Sequence, residues 1–94
     1  MKVIIINGPN LNLLGKREVD IYGNVSFDDY YNSWRKLFPD INLSYFQSNI
    51  EGELIDKLHE VGFTYDYIIL NGGGYSHTSI ALSDALSSID SNVI

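Results

Sequence analysis

The chain has 94 residues, a net charge of -6 and no cysteine. That length supports one domain with a thin core, and the missing cysteines exclude disulfides, zinc–thiolate sites and iron–sulfur clusters. The acidic balance argues against a nucleic-acid partner, which needs a basic face. No apolar run approaches the roughly 18 residues of a membrane helix, and the N-terminus lacks the pattern of a signal peptide. A cytoplasmic location with no membrane partner is expected.

Residues 2–7 contain Val3-Ile4-Ile5-Ile6 and read as a buried strand. A long segment follows, Gly8-Pro9-Asn10-Leu11-Asn12-Leu13-Leu14-Gly15-Lys16-Arg17-Glu18-Val19-Asp20-Ile21-Tyr22-Gly23. A plain turn needs two or three residues; ordered loops of this length are usually functional. This one carries an amide, a guanidinium and a phenol at Asn10, Arg17 and Tyr22, and places two of the six basic residues side by side at Lys16-Arg17.

Ser26 with Asp29 has the spacing of a capping box. Tyr30, Tyr31, Trp34, Leu37 and Phe38 then recur at helical spacing until Pro39. This aromatic stripe reads as core. Residues 41–47 alternate as a second strand. Ser48 or Asn49 is expected to cap the next helix, with Ile50, Leu54, Leu58 and Val61 inward and Gly62 in a left-handed cap. His59 falls on the polar face of that helix.

Tyr67-Ile68-Ile69-Leu70 reads as a third strand buried on both faces. Asn71-Gly72-Gly73-Gly74 follows it, then Tyr75-Ser76-His77-Thr78-Ser79 and a helix with Ile80, Ala81, Leu82, Ala85, Leu86 and Ile89. The order β-α-β-α-β-α implies an α/β fold, a parallel sheet with helices on both faces. Val93-Ile94 opens a fourth strand. The 1–94 domain is therefore expected to be incomplete at its C-terminus, to leave the third strand as an apolar edge and to fold poorly alone.

Ligands of open parallel sheets bind beyond the carboxyl ends of the strands, where strand order reverses. If strands one and three are neighbours, Asn10, Asn71 and His77 converge on one polar crevice. The glycines would permit close approach of a ligand, and backbone amides at the following helix start would favour an anion.

The ordered motifs, Gly8 through Gly15, Arg17-Glu18, Ile21-Tyr22-Gly23, Gln47-Ser48-Asn49 with Glu51-Gly52-Glu53-Leu54, and Asn71 through Ser79 with Ala81-Leu82 and Asp84-Ala85, resemble type II 3-dehydroquinate dehydratase over the whole chain. The resemblance implies a flavodoxin-like sheet of order 2-1-3-4-5, and conversion of 3-dehydroquinate to 3-dehydroshikimate in the shikimate pathway. It also implies no metal or cofactor, and a homo-oligomer, commonly a dodecamer of trimers. Tyr22 would be the base removing the C2 proton of this small-molecule substrate. A phenol has a reference pKa of about 10, and the matching Arg17 would lower it. Asn10 would hold a water on the enolate oxygen, Asn71 and His77 would bind substrate hydroxyls, and Asp84 would reach the substrate of a neighbouring subunit. Closure of the long loop over the substrate would exclude water.

The sequence departs from the family pattern at Val19, usually proline, and at Ser76, usually threonine. The family's general-acid histidine, in a Glu-Val-His segment after the fourth strand, has no counterpart in the 94 residues, so little activity of this chain by itself is expected. Two alternatives remain: a non-catalytic flavodoxin-like module for FMN or another phosphate ligand, and a truncated remnant. The first-strand loop is poor in the hydroxyls that a phosphate ligand would need.

Overall fold

Residues 1–16, 25–75 and 79–94 are described by a computed structural model. Val3 to Ile6 supply four consecutive apolar side chains, so both faces of this strand must be covered. The chain meets that demand by pairing the strand on both edges. β1 (Lys2–Asn7) lies between β2 (Asn42–Gln47) and β3 (Tyr67–Asn71), and β3 pairs with β4 (Asn92–Val93). All pairs are parallel, in the order β2-β1-β3-β4. Among the described residues three α-helices connect them: α1 (Phe27–Leu37), α2 (Glu51–Val61) and α3 (Ile80–Ser87).

Alternation along the strands separates two faces. Ile4, Ile6 and Ile68 face α2 and α3 and form the core with Leu54, Leu58, Val61, Leu82 and Ala85. Val3, Ile5 and Asn7 line the opposite face with Tyr67, Ile69 and Asn71. There α1 covers the β2 side: Phe27 stacks on Tyr45 at 4.8 Å between ring centroids, and the Tyr31 hydroxyl donates to the Leu43 carbonyl at 3.0 Å. Beside α1 a groove of about 600 Å³ remains, walled by Phe27, Trp34 and Phe38. The expectation that β3 is buried on both faces therefore fails at Ile69, which is 41% exposed.

The edge of β3 is better protected than expected. Asn92 and Val93 pair with Tyr67 and Ile68, and the Leu70 N–H donates to the Ile94 carbonyl at 3.0 Å. Three residues thus saturate most of this edge, because a parallel ladder needs only alternate backbone groups from its partner.

The capping box at Ser26 is present: Ser26 Oγ accepts from the Asp29 N–H, and Asp29 accepts from the Ser26 N–H. The start and end of α2 differ from expectation. Its N-cap is Ile50, 58% exposed and outside the core. Ser48 acts one step earlier, accepting from the Ile50 N–H and donating to the Glu53 carboxylate. At the other end Gly62 has φ -67, a right-handed conformation. Glycine is needed there for space: a Cβ would collide with the Ile89 side chain and the Leu58 carbonyl. At the start of α3 Ser79 caps the helix by accepting from the Leu82 N–H, and Ile80 beside it is 86% exposed. His59 is exposed, as its spacing implied.

Candidate functional site

The three long strands end together. Gln47, Asn7 and Asn71 occupy one register row across β2, β1 and β3, so three carboxamides stand side by side at the carboxyl edge of the sheet. Neighbouring strands lie about 4.8 Å apart, which brings the three loops leaving this row into contact.

Loops one and three touch directly. The Gly8 N–H donates to the Asn71 carbonyl at 2.7 Å. A Cβ on Gly8 would come within 2.6 Å of the Gly72 carbonyl oxygen, so this approach requires glycine. Asn71 shapes its own loop, its Oδ1 accepting from the Gly73 N–H at 3.2 Å, and Gly73 takes φ +59. The expected adjacency of strands one and three therefore holds, and it brings the segments carrying Asn10 and Asn71 side by side.

Asn10 follows Pro9 and has φ 70, the only non-glycine residue with positive φ among the described residues. A 3-10 turn over Leu11–Leu13 follows, with the Leu13 N–H on the Asn10 carbonyl at 3.0 Å. The Asn10 backbone N–H donates to Asn49 Oδ1 at 2.9 Å. Gln47 Nε2 lies 3.1 Å from both the Gly8 carbonyl and Asn49 Oδ1, and 3.4 Å from Asn12 Oδ1. The Tyr75 hydroxyl donates to the Asn49 carbonyl at 3.3 Å. One polar network thus joins all three loops.

Asn7 and Tyr45 lie beneath this network. Asn7 is 3% exposed, and its Nδ2 makes no well-formed hydrogen bond among the described residues. Its amide still lies close enough to Tyr45 to favour the phenolate weakly. Burial outweighs this and, with the Asp28 charge, holds the Tyr45 pKa above its ordinary 10.0. Tyr45 is therefore a neutral phenol, unsuited to act as a base near neutral pH.

Of the sequence-nominated site residues, Asn10 lies on the loop after β1 and Asn71 ends the adjoining strand β3. Asp84 is on the exposed surface of α3, its carbonyl accepting from Ser88 Oγ at 2.9 Å. Arg17, Tyr22 and His77 lie outside the described residues. Gln47, Tyr75 and Asn7 received no site role from sequence reasoning, and Asn49 was considered only as a helix cap, a place taken by Ile50. The signal for Gln47 and Asn49 was available: Gln47-Ser48-Asn49 leaves a strand at the same carboxyl edge that nominated Asn10 and Asn71.

A family model described as Dehydroquinase class II matches residues 1–94. The chain belongs to the class II dehydroquinase family. A 3-dehydroquinate dehydratase of an Exiguobacterium species is 50% identical over 95 residues, spanning 100% of this chain and 65% of that protein. The Campylobacter lari 3-dehydroquinate dehydratase is 45% identical over 96 residues, covering 100% of this chain and 60% of its own. Among solved structures, the type II dehydroquinase of Butyrivibrio crossotus superposes with a TM-score of 0.81 at 42% identity, covering 99% of this chain and 68% of that one. The Propionibacterium acnes type II dehydroquinase gives 0.85 at 27% identity, covering 98% and 65%. The chain thus spans about 60–65% of the length of these curated class II dehydroquinase relatives, and its four-stranded parallel sheet is the flavodoxin-like arrangement of the family. No helix among the described residues is long and apolar enough to cross a membrane.

Proposed function

We propose that this chain carries the proton-abstracting half of a 3-dehydroquinate dehydratase site in the shikimate pathway. The observation that carries this reading is the contact of Gly8 with Asn71 and Gly72, which seats Asn10 and Asn71 at one strand-end crevice in a chain of the class II dehydroquinase family. Crevices of this kind are where parallel sheets bind small polar ligands.

In this reading Tyr22, as phenolate, takes the proton from C2 of 3-dehydroquinate, and the electron pair passes to the C3 carbonyl to form an enolate. The Arg17 guanidinium favours the phenolate, since an opposite charge nearby lowers a pKa by about 1–3. It also offsets the developing negative charge. Asn10 holds a water against the enolate oxygen, an arrangement that strengthens as charge builds on that atom. Asn71 and His77 bind substrate hydroxyls, and Asp84 completes the site of a neighbouring copy. Loss of the C1 hydroxyl as water needs a proton donor, and neither His59 nor His77 matches the family's acid. An oligomer, as a dodecamer of trimers, and a cytoplasmic location belong to the same reading.

Titration of the purified 94-residue chain with 3-dehydroquinate, followed by NMR, tests it. Millimolar substrate should shift the Asn10 and Asn71 amide signals, with no growth of the conjugated-enone absorbance. Unmoved signals would sink the assignment. Steady enone formation would show that the acid lies within these 94 residues.

A further inference from the structure

Asn10 combines two features that need a cause: a left-handed backbone and a side chain with no hydrogen bond to any described residue. Non-glycine residues in this region persist only where their surroundings over-determine them, and they cluster at functional sites. The cause lies in the second loop, at Gln47 and Asn49.

We propose that Gln47 and Asn49 are positioning residues that clamp Asn10 in its left-handed conformation and leave its side-chain amide free for a ligand at the strand-end crevice. The role of that amide rests on the dehydratase reading above; the clamp itself does not. Asn49 Oδ1 takes the Asn10 N–H at 2.9 Å, which fixes the peptide entering Asn10. Gln47 Nε2 approaches the same Oδ1 and the Gly8 carbonyl, each at 3.1 Å, and so ties Asn49 to the peptide two residues before Asn10. On the far side of Asn10, Asn12 Oδ1 lies 3.4 Å from the same Nε2. Asn49 is held in turn through its backbone, whose carbonyl receives the Tyr75 hydroxyl at 3.3 Å from the glycine loop. Gln47 itself is the last residue of β2, in register with Asn7, so the clamp is anchored on the sheet rather than on a loop. The acceptor of the Asn10 N–H thus comes from the second loop, and that loop is itself held by the first and third.

The two amides have opposite chemical duties. Among the described residues Asn49 acts through its side-chain oxygen, accepting from Asn10 and Gln47. Gln47 acts through its side-chain nitrogen, whose two hydrogens face three acceptors. A carboxylate preserves the first duty and abolishes the second. The clamp therefore predicts that the isosteric changes N49D and Q47E, which add the same charge, have opposite consequences.

Two readouts on the full 94-residue chain test this: hydrogen exchange of the Asn10 amide and NMR-detected affinity for 3-dehydroquinate. N49A and Q47E should each speed Asn10 exchange and weaken binding by about tenfold, the scale of one lost hydrogen bond. Exchange in the β1 and β3 ladders should stay unchanged. N49D should keep both values within about twofold of the parent chain. Equal behaviour of N49D and N49A, or an unchanged Asn10 amide in Q47E, would overturn the clamp. Faster exchange at Asn10 with unchanged affinity would reduce it to loop scaffolding and overturn the positioning role. If the parent chain binds no 3-dehydroquinate, the dehydratase reading fails and the ligand role of the clamp fails with it. The exchange data would still decide whether the clamp exists.

Discussion

The Asn71 carbonyl accepts the Gly8 N–H at 2.7 Å, and at that point the backbones of two loops from different strands touch. Everything the crevice can do depends on this closeness, because Asn10 and Asn71 are carried by the two segments that meet there. A Cβ on Gly8 would lie 2.6 Å from the Gly72 oxygen. Gly8→Ala should force the loops apart and cost about 1–3 kcal/mol, the usual range for overpacking. Urea unfolding would register this as a lower midpoint at constant slope; an unchanged midpoint would mean the contact is soft.

Gly62 tests a different kind of glycine. Its φ of -67 suits any residue, so only space excludes a side chain. Gly62→Ala should destabilise by about 1–3 kcal/mol, and the double variant with Ile89→Ala should recover part of that loss relative to Ile89→Ala alone. A left-handed cap would show no such coupling, so a thermodynamic cycle showing strict additivity would reject the packing explanation.

Ser26 caps α1 through a reciprocal pair with Asp29. Ser26→Ala should cost about 1 kcal/mol, and amide exchange should quicken first at Asp29, whose N–H loses its acceptor. Since α1 supplies Phe27 and Trp34 to the wall of the open groove, Trp34 emission should shift to the red as the helix frays.

Tyr45 gives a pH signature. Burial, then the Asp28 charge, raise its pKa above 10.0 in the folded chain, while the unfolded chain keeps the ordinary value. The folded state therefore holds the phenolic proton more tightly. Its contribution to stability is complete below pH 10 and is lost as pH rises through the folded-state value. Tyr45→Phe should remove this loss, so the stability gap between parent and variant should change between about pH 9 and pH 11. A gap that stays constant over that interval would contradict the shift.

Hydrophobic spacing, cap chemistry and punctuation made most of the elements legible. The four apolar residues of β1, the Ser26–Asp29 pair and the run Asn71-Gly72-Gly73-Gly74 are local signals, and each appears where its pattern points. Gly62 was misread because a glycine after a helix has two causes, and a collision with Ile89, 27 residues away, leaves no mark in the neighbouring sequence. Ile50 was misread because it sits at a helix start, where the inward face is not yet established. Gln47 was passed over, and Asn49 was considered only as a helix cap, because an amide next to a strand has no intrinsic role until its partners are known.

The division follows the range of the forces. Backbone propensity, alternation and capping act over a few residues, so strands, helices, parallel order and the nomination of Asn10 and Asn71 follow from the chain read in order. Which face of β3 stays open at Ile69, why Gly62 has no side chain and how Asn49 comes to hold Asn10 depend on atoms distant in sequence. Packing and hydrogen bonding act only at contact, and contact across the β2-β1-β3 row exists only once the sheet has assembled.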